Sequence, residues 1–362
     1  MAKIIITSTR WGHTSIAKAI KEILDNKNDV ELICIEAEPF SKISYHLIYK
    51  FFPGLFKVVF RLSGMKFFRS LFNSFVAVSY QSVLERVIKR QKPDIVINVY
   101  FAFDSSLAPL QERYRFKLIN VLADPWTFSK ILISTAGENL TFDNYSLKRL
   151  KELEPKASGQ PIGWFIEKKY YDVEKLDQNK VRKDLGLDPD MFTLCVVSGS
   201  EGTFNIFKIL STLTNPKLKM QVIILCGNNH AMFNVVRALR SLSGKINGPK
   251  IKGIPYTESM QLYLKAADLV VGKAGPNTLF QSVIVGSPFF AISHISGQED
   301  GNLDIIKRYK IGFVEENPNK AAKKLKEVIR NPKTLSKFRK NLKQLSKYCL
   351  GSKDKLLNSL NG

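Results

Sequence analysis

Residues 271–290 read Val-Gly-Lys-Ala-Gly-Pro-Asn-Thr-Leu-Phe-Gln-Ser-Val-Ile-Val-Gly-Ser-Pro-Phe-Phe, and residues 296–302 read Ser-Gly-Gln-Glu-Asp-Gly-Asn. A β-branched run that ends at Val271 leads into a Gly-Pro-Asn-Thr turn, an apolar helical pattern and a second short strand. A helix that starts after such a turn presents backbone N–H groups and a positive dipole end, which suit a phosphate. The polar loop that follows suits a sugar. The stretch therefore predicts a nucleotide-sugar site.

Outward from this stretch, strands and helices alternate, which predicts an α/β fold with two doubly wound parallel sheets. The expected strands are Ile4–Ser8, Val30–Ile35, Ile95–Val99, Lys117–Leu122, Leu194–Ser198, Gln221–Cys226, Lys250–Ile254, Leu269–Gly272 and Pro288–Ile292. The expected helices are Ser15–Leu24, Ser79–Gln91, Phe204–Leu213, Ala231–Ser241, Met260–Ala266 and Thr278–Val285, followed by a Lys-rich helical tail. A cluster of breaker residues, Ser158–Gly163, predicts the domain junction.

The formal charge of +23 is concentrated in two segments. Residues 39–92 carry ten Lys/Arg against one Glu, and residues 317–362 carry thirteen against two acids. This concentration of positive charge in two segments indicates that the partner is an anionic surface. No apolar stretch is long enough to span a bilayer, so peripheral association on the cytoplasmic face of a membrane is expected.

The first basic segment interleaves its cations with large apolar side chains, a composition typical of segments that lie in a membrane interface. We expect membrane or acceptor contacts from Trp11, Gly12, Phe51, Phe52, Phe56, Phe60, Arg61, Phe67 and Phe68. The alternative is a pair of helices that pack inward and leave a solvated basic face. Nucleic acid is not expected as a partner, because the aromatic residues are Phe-rich and clustered.

Two residues are candidates for acid–base chemistry. His13 stands just after the first predicted strand, and an imidazole is suited to removing a hydroxyl proton near neutral pH. Asp124 follows the predicted strand Lys117–Leu122, at the edge of the sheet where open α/β folds bind ligands. It is a rival base or a partner of His13, and a turn-forming Asp is the alternative for it. No Asp-x-Asp pair stands beside the site, so neither a metal nor another cofactor is expected.

The stretch 271–302 closely resembles the donor site of GT-B glycosyltransferases of the monogalactosyl- and monoglucosyldiacylglycerol synthase family. These are relatives of the lipid-linked GlcNAc transferase of peptidoglycan synthesis. The residues that match are Lys273, Ala274, Gly275, Pro276, Thr278, Gly297, Gln298, Glu299, Gly301 and Asn302. Asn277 replaces a glycine of the family, and Gln281 stands where an acid normally binds the ribose. A Gln binds a diol without charge assistance, which predicts weaker donor affinity.

The resemblance implies two Rossmann-like domains that face each other across a cleft. Residues 1–160 would form the acceptor domain with the basic aromatic insertion 39–80, residues 161–335 the donor domain, and residues 336–362 C-terminal helices that pack back on the first domain. The implied donor-binding residues are Gly199, Ser200, Glu201, Gly202, Gly275, Pro276, Asn277, Thr278, Gln281, Gln298, Glu299 and Asn302.

The implied activity is inverting transfer of a hexose from UDP to the hydroxyl of diacylglycerol. Three alternatives stay open: transfer of GlcNAc from UDP-GlcNAc to a polyprenyl-linked or other glycolipid acceptor, a non-hydrolysing UDP-sugar epimerase, and an inactive membrane-binding module. The sequence does not identify the transferred sugar as glucose, galactose or GlcNAc. It specifies neither the number of sugars added nor the oligomeric state.

Overall fold

The computed structural model of the protein describes residues 2–10, 12–25, 28–36, 57–58, 62, 64–126, 129–198 and 204–361. The chain forms two compact units. The first comprises Met1–Glu167, Ile295–Gly301 and Tyr348–Gly362. The second comprises Lys168–His294 and Asn302–Lys347. Each unit is built around one six-stranded sheet.

The sheet of the first unit is parallel throughout and has the order β2-β1-β3-β4-β5-β6. Its strands are β1 (Lys3–Ser8), β2 (Asp29–Cys34), β3 (Ile95–Asn98), β4 (Lys117–Val121), β5 (Glu138–Thr141) and β6 (Gly159–Pro161). The strand order reverses between β1 and β3. In open α/β sheets, ligands bind outside the carboxyl ends of the strands at such a reversal.

The sheet of the second unit is also parallel and has the order β12-β11-β10-β7-β8-β9. Its strands are β7 (Phe192–Val197), β8 (Met220–Gly227), β9 (Lys250–Pro255), β10 (Leu269–Lys273), β11 (Phe289–Ser293) and β12 (Gly312–Val314). All six residues of β7 are buried, as expected for a strand covered on both faces. The order of this sheet reverses between β7 and β10.

Crossover segments that mostly contain α-helices connect the parallel strands, while β4 and β5 are joined by a segment whose described residues contain only the 3₁₀-helix Lys130–Leu132. In chain order the α-helices are α1 (Gly12–Leu24), α2 (Lys66–Gln91), α3 (Asp104–Tyr114), α4 (Asn144–Leu153), α5 (Lys168–Glu174), α6 (Gln178–Asp184), α7 (Leu210–Leu213), α8 (His230–Lys245), α9 (Met260–Ala266), α10 (Pro276–Ile284), α11 (Asp300–Arg308), α12 (Pro318–Arg330), α13 (Ser336–Leu350) and α14 (Ser352–Asn361). In the described part of the chain, no helix combines the length and the apolarity needed to cross a bilayer.

All nine predicted strands are present, and three short ones, β5, β6 and β12, were not predicted. The segment predicted as the domain junction, Ser158–Gly163, contains β6. Gly159 lies opposite Asn139 of β5, and a Cβ on it would come within 2.8 Å of the Asn139 carbonyl oxygen. The glycine therefore permits close strand pairing. The predicted helix Phe204–Leu213 is a 3₁₀-helix at Phe204–Ile209 that continues into α7.

Candidate functional site

A cavity opens in the first unit at the carboxyl ends of β1, β3 and β4, where the strand order reverses. Its lining consists of six polar and six apolar residues. The lining residues are His13, Asn98, Val99, Phe101, Asp104, Asn120, Val121, Leu122, Ala123, Asp124, Leu132 and Ser134. Both predicted catalytic residues, His13 and Asp124, therefore lie at one cavity although 111 positions separate them in the sequence.

A hydrogen bond to the backbone fixes the orientation of His13, the second residue of α1. Its Nδ1 lies 2.8 Å from the carbonyl oxygen of Val99, and its ring packs edge-on against Tyr100 at a centroid distance of 5.1 Å. A carbonyl oxygen can only accept a hydrogen bond, so Nδ1 carries the proton. In the neutral ring the lone pair then resides on Nε2, which is the atom available as a base.

The protein environment keeps the His13 imidazole neutral. Burial of the ring lowers its pKa from 6.5 to about 4, against the smaller opposing effect of the Val99 hydrogen bond. Burial disfavours the charged form because an imidazolium loses hydration there. At neutral pH the lone pair of Nε2 is therefore present in essentially every molecule.

Asp124 lies after β4 and is 8% exposed. Its Oδ2 accepts a hydrogen bond of 3.3 Å from Nε2 of Gln298, a residue of the predicted sugar-binding loop. Residues 295–301 of that loop belong to the first unit. Because the Nδ1 of His13 pairs with a backbone carbonyl, that position is not open to an Asp124 carboxylate.

Four polar residues of the cavity, Asn98, Asn120, Asp104 and Ser134, were not predicted from the sequence. Asn98 of β3 and Asn120 of β4 lie among apolar residues of their strands and face each other in register. Each lies at or next to the carboxyl end of its strand. A buried amide at that end of a parallel strand is the signal that could have identified both.

Asp104 begins α3, and its carboxyl environment is unusual. Burial raises the pKa of this carboxyl above its ordinary value, while a hydrogen bond from Ser134 and the positive charge of Arg69 oppose the increase. Its Oδ1 is buried and has no hydrogen-bond partner in the described part of the chain. A buried polar atom in this state calls for an explanation.

The predicted sugar loop is held by its own side chains. Glu299 is 4% exposed, and its Oε2 accepts a hydrogen bond of 2.7 Å from the backbone N–H of Ile295. Gly301 lies against the chain after β4, where an added Cβ would be 2.4 Å from the carbonyl oxygen of Trp126. Gly297 has φ +91°, which a glycine adopts without strain. The two glycines thus shape the loop.

In the second unit, the predicted phosphate site lies at the strand reversal, where β10 meets α10. Gly275 is the N-cap and Pro276 the first helical residue, while Leu279 donates the first helical hydrogen bond, to the Gly275 carbonyl. This geometry leaves the amides of Asn277 and Thr278 outside the hydrogen-bond ladder of the helix. Gln281 is 7% exposed on the same helix.

Asn302 supports this turn from α11. Its Nδ2 donates a hydrogen bond of 2.7 Å to the carbonyl oxygen of Ala274, directly before the Gly275 N-cap. Its Oδ1 has no hydrogen-bond partner among the residues described here. The other predicted donor-binding residues, Gly199, Ser200, Glu201 and Gly202, lie outside the described residues.

Of the predicted membrane contacts, Phe67 and Phe68 at the start of α2 are 74% and 42% exposed, with rings 5.6 Å apart. Met65 beside them is 54% exposed. Gly12, at the start of α1, is exposed. The remaining members of the set, Trp11, Phe51, Phe52, Phe56, Phe60 and Arg61, lie outside the described residues.

Two protein-family models match the chain. Residues 193–347 match the glycosyltransferase family 28 C-terminal domain, and residues 13–132 match monogalactosyldiacylglycerol synthase. Among curated proteins, the chain is 24% identical over 346 residues to a probable monogalactosyldiacylglycerol synthase 3 of rice (Oryza sativa subsp. japonica). That match covers 88% of this chain and 66% of the rice protein.

A second relative is the processive diacylglycerol β-glucosyltransferase of Bacillus licheniformis, 24% identical, with 94% of this chain and 90% of that protein covered. Among solved structures, Anabaena HepE in complex with UDP-glucose superposes with a TM-score of 0.62 at 10% identity and 99% coverage of both chains. This likeness, with the two parallel sheets, supports the predicted GT-B fold. The two domain models thus agree with the resemblance seen at the donor motif: the chain carries a glycosyltransferase family 28 C-terminal domain, and its residues 13–132 are similar to monogalactosyldiacylglycerol synthase.

Proposed function

We propose that this glycosyltransferase moves a hexose from a UDP-sugar to the hydroxyl group of diacylglycerol, with inversion, at the surface of an anionic membrane. The observation that carries the proposal is the state of His13. Its Nδ1 is committed to the Val99 carbonyl, and its ring lies in a cavity at the strand reversal of the first unit. This arrangement supplies a neutral, oriented Nε2 where a lipid hydroxyl can be received.

In the proposed reaction, Nε2 of His13 takes the proton of the acceptor hydroxyl while its oxygen attacks the anomeric carbon. The bond from that carbon to the UDP oxygen breaks, and UDP leaves with the electron pair. A single displacement inverts the anomeric centre and gives a β-linked glycolipid. Backbone amides at the start of α10 stabilise the charge of the departing diphosphate.

Membrane association is supported by the exposed Phe67 and Phe68 beside the concentrated positive charge of residues 39–92. Aromatic side chains bury in the lipid boundary while nearby cations attract anionic headgroups. The names of the two curated relatives, a monogalactosyldiacylglycerol synthase and a diacylglycerol β-glucosyltransferase, support the same acceptor class. A cytoplasmic location and independence from metals belong to the proposal.

The test is to incubate the pure protein with radiolabelled UDP-glucose, UDP-galactose or UDP-GlcNAc and liposomes that contain diacylglycerol and anionic lipid. We expect one of these donors to give lipid-soluble label, undiminished in EDTA. If lipid-soluble label appears only with UDP-GlcNAc and a polyprenyl-linked acceptor, that lipid and not diacylglycerol is the acceptor.

The remaining outcomes address the other classes of protein. Conversion of the UDP-sugar to an epimer in lipid-free buffer would identify an epimerase. Binding of UDP with no turnover on any acceptor would indicate an inactive membrane-binding module. A loss of activity in EDTA that is restored by a divalent cation would overturn metal independence alone.

A further inference from the structure

We infer that Asp104 and Asn120 are positioning residues that select a neutral, hydroxyl-bearing lipid headgroup and disfavour an anionic one. This inference rests on the proposed function, since it assigns the acceptor to the cavity that contains His13. The two residues are the first residue of α3 and the fourth residue of β4. Both line the cavity.

A chain of hydrogen bonds determines which way the Asn120 amide points. The backbone N–H of Tyr100 donates to Oδ1 of Asn98 at 3.1 Å. Nδ2 of Asn98 must then lie on the other side of its amide, where it donates to Oδ1 of Asn120 at 2.9 Å. Because a backbone N–H can only donate, the two amide orientations follow from it. Asn120 therefore uses its oxygen within the protein and keeps its Nδ2 as a donor.

One buried polar atom of each of these two cavity-lining residues has no hydrogen-bond partner among the described residues. The two atoms are Nδ2 of Asn120, a donor, and Oδ1 of Asp104, an acceptor. Asn120 is 5% exposed. Leaving such atoms unpaired costs free energy, which a ligand that satisfies them recovers on binding. The pair is complementary, because one atom donates and the other accepts.

A neutral alcohol matches both atoms. Its hydroxyl oxygen accepts from Asn120 Nδ2 and its hydroxyl hydrogen is donated to Asp104 Oδ1, or two neighbouring hydroxyls divide these bonds. A phosphate group offers acceptors only and would add negative charge beside the carboxyls of Asp104 and Asp124. The guanidinium of Arg69 is not fully available to neutralise this negative charge, since it donates hydrogen bonds of 3.3 Å to Glu154 and to the Ile133 carbonyl. The cavity chemistry thus disfavours phosphorylated acceptors.

The test measures binding of soluble short-chain lipids to the full-length protein by calorimetry. Dioctanoylglycerol and its monohexosyl derivative are the two neutral probes. Comparing them shows whether the cavity binds a glycerol hydroxyl or a sugar hydroxyl. Dioctanoylphosphatidylglycerol carries hydroxyls together with a negative charge. We expect at least one neutral probe to bind about 10-fold more tightly than the anionic one.

Two variants change one group each. Asp104→Asn replaces the carboxyl group by a neutral amide. It should weaken binding of the neutral probes about 10-fold and reduce the ratio of affinities between the neutral and the anionic probes. Asn120→Asp keeps the oxygen that accepts the hydrogen bond from Asn98 and replaces only the donor Nδ2. It should therefore weaken binding of the neutral probes by a similar factor. Asp25→Asn, which alters an exposed carboxylate of the same unit, is the matched control and should bind as the unmodified protein does.

Equal affinity for the neutral and anionic probes, or unchanged binding in both cavity variants, would overturn the inference. Because binding is measured without a donor sugar, the result is independent of turnover. Selective binding of a neutral probe by a protein that transfers no sugar would refute the proposed function and support the inference.

Discussion

At the residue scale, the hydrogen bond between His13 and the Val99 carbonyl determines which nitrogen can act as a base. The sequence alone identifies a histidine after the first strand, but not its tautomer or its partner. The partner is a main-chain atom 86 residues away, and no side-chain pattern specifies such a contact. The resulting geometry makes two expectations for His13 measurable.

Replacement of His13 by Ala should reduce kcat by about 10²- to 10⁴-fold, the usual contribution of a positioned general base. UDP affinity, measured by calorimetry, should stay nearly unchanged, because the predicted phosphate site at the start of α10 lies in the second unit. His230, an exposed residue at the start of α8, provides the control, and His230→Ala should retain full activity. A comparable loss of kcat in both variants would contradict the assignment of His13 as the base.

The pH profile should reflect the low pKa of His13. The neutral imidazole is the active form, so activity falls when pH falls through its pKa of about 4. At pH 5 about nine-tenths of the molecules would hold a neutral ring, against about 3% for an ordinary pKa of 6.5. The measurement is kcat/KM of the free enzyme between pH 4 and pH 8 on a soluble acceptor. An acidic limb centred near 6.5 would contradict the buried, desolvated state of the ring.

At the scale of secondary-structure elements, most strands and helices follow from periodicity and turn residues. β5, β6 and β12 escaped prediction because each has only three or four residues, too few for a pattern. Their formation depends on backbone pairing with a neighbouring strand. The glycines of the sugar loop also depend on contacts with distant parts of the chain. The sequence shows Gly301 but not the backbone near Trp126 that it lies against.

Gly301→Ala should destabilise the first unit, because the new Cβ would meet the Trp126 carbonyl oxygen at 2.4 Å. We expect a loss of about 1–3 kcal/mol in the free energy of unfolding, the typical cost of overpacking. The tryptophans Trp126 and Trp164 lie in the described part of the first unit, so tryptophan fluorescence follows its unfolding in urea.

The comparison variant is Gly244→Ala in α8, where an added Cβ has no heavy atom within 4 Å. Because Gly244 lies in the second unit, unfolding of both variants is also followed by far-UV circular dichroism, which reports on the helices of both units. Gly244→Ala should keep or slightly raise stability, since Ala favours a helix over Gly by up to about 1 kcal/mol. If the two variants unfold alike, the contact with Trp126 does not constrain the loop.

The start of α2 should contribute to membrane binding. Replacing both Phe67 and Phe68 by Ser is expected to lower affinity for anionic vesicles about 10-fold or more, because their exposed rings would no longer enter the lipid boundary. Sedimentation with vesicles gives the bound fraction. Leu242→Ser, at a leucine of α8 that is 48% exposed, controls for the loss of exposed apolar area in general. An equal decrease in the control would argue against a localised docking surface.

At the scale of the whole molecule, the charge distribution predicts the response to salt. Most of the net charge of +23 lies in residues 39–92 and 317–362, and each cation near an anionic surface contributes about 1 kcal/mol at most. Binding to vesicles with anionic lipid should therefore weaken strongly between about 50 and 300 mM salt, as the Debye length shortens. Turnover on a soluble short-chain acceptor should change much less. Salt-independent binding to neutral vesicles would show that the basic segments do not direct membrane association.

The sequence by itself determined the fold class, because local periodicity and turn residues occur at neighbouring positions, and it identified the donor motif, His13 and Asp124 as candidates for the site. Only the tertiary structure decided that Asn98, Asn120 and Asp104 join these two residues at one cavity. Parallel strands bring their carboxyl ends together from distant parts of the chain, and the order of strands in the sheet is set by packing. That order also fixes which buried polar atoms find partners within the protein and which are left for a ligand.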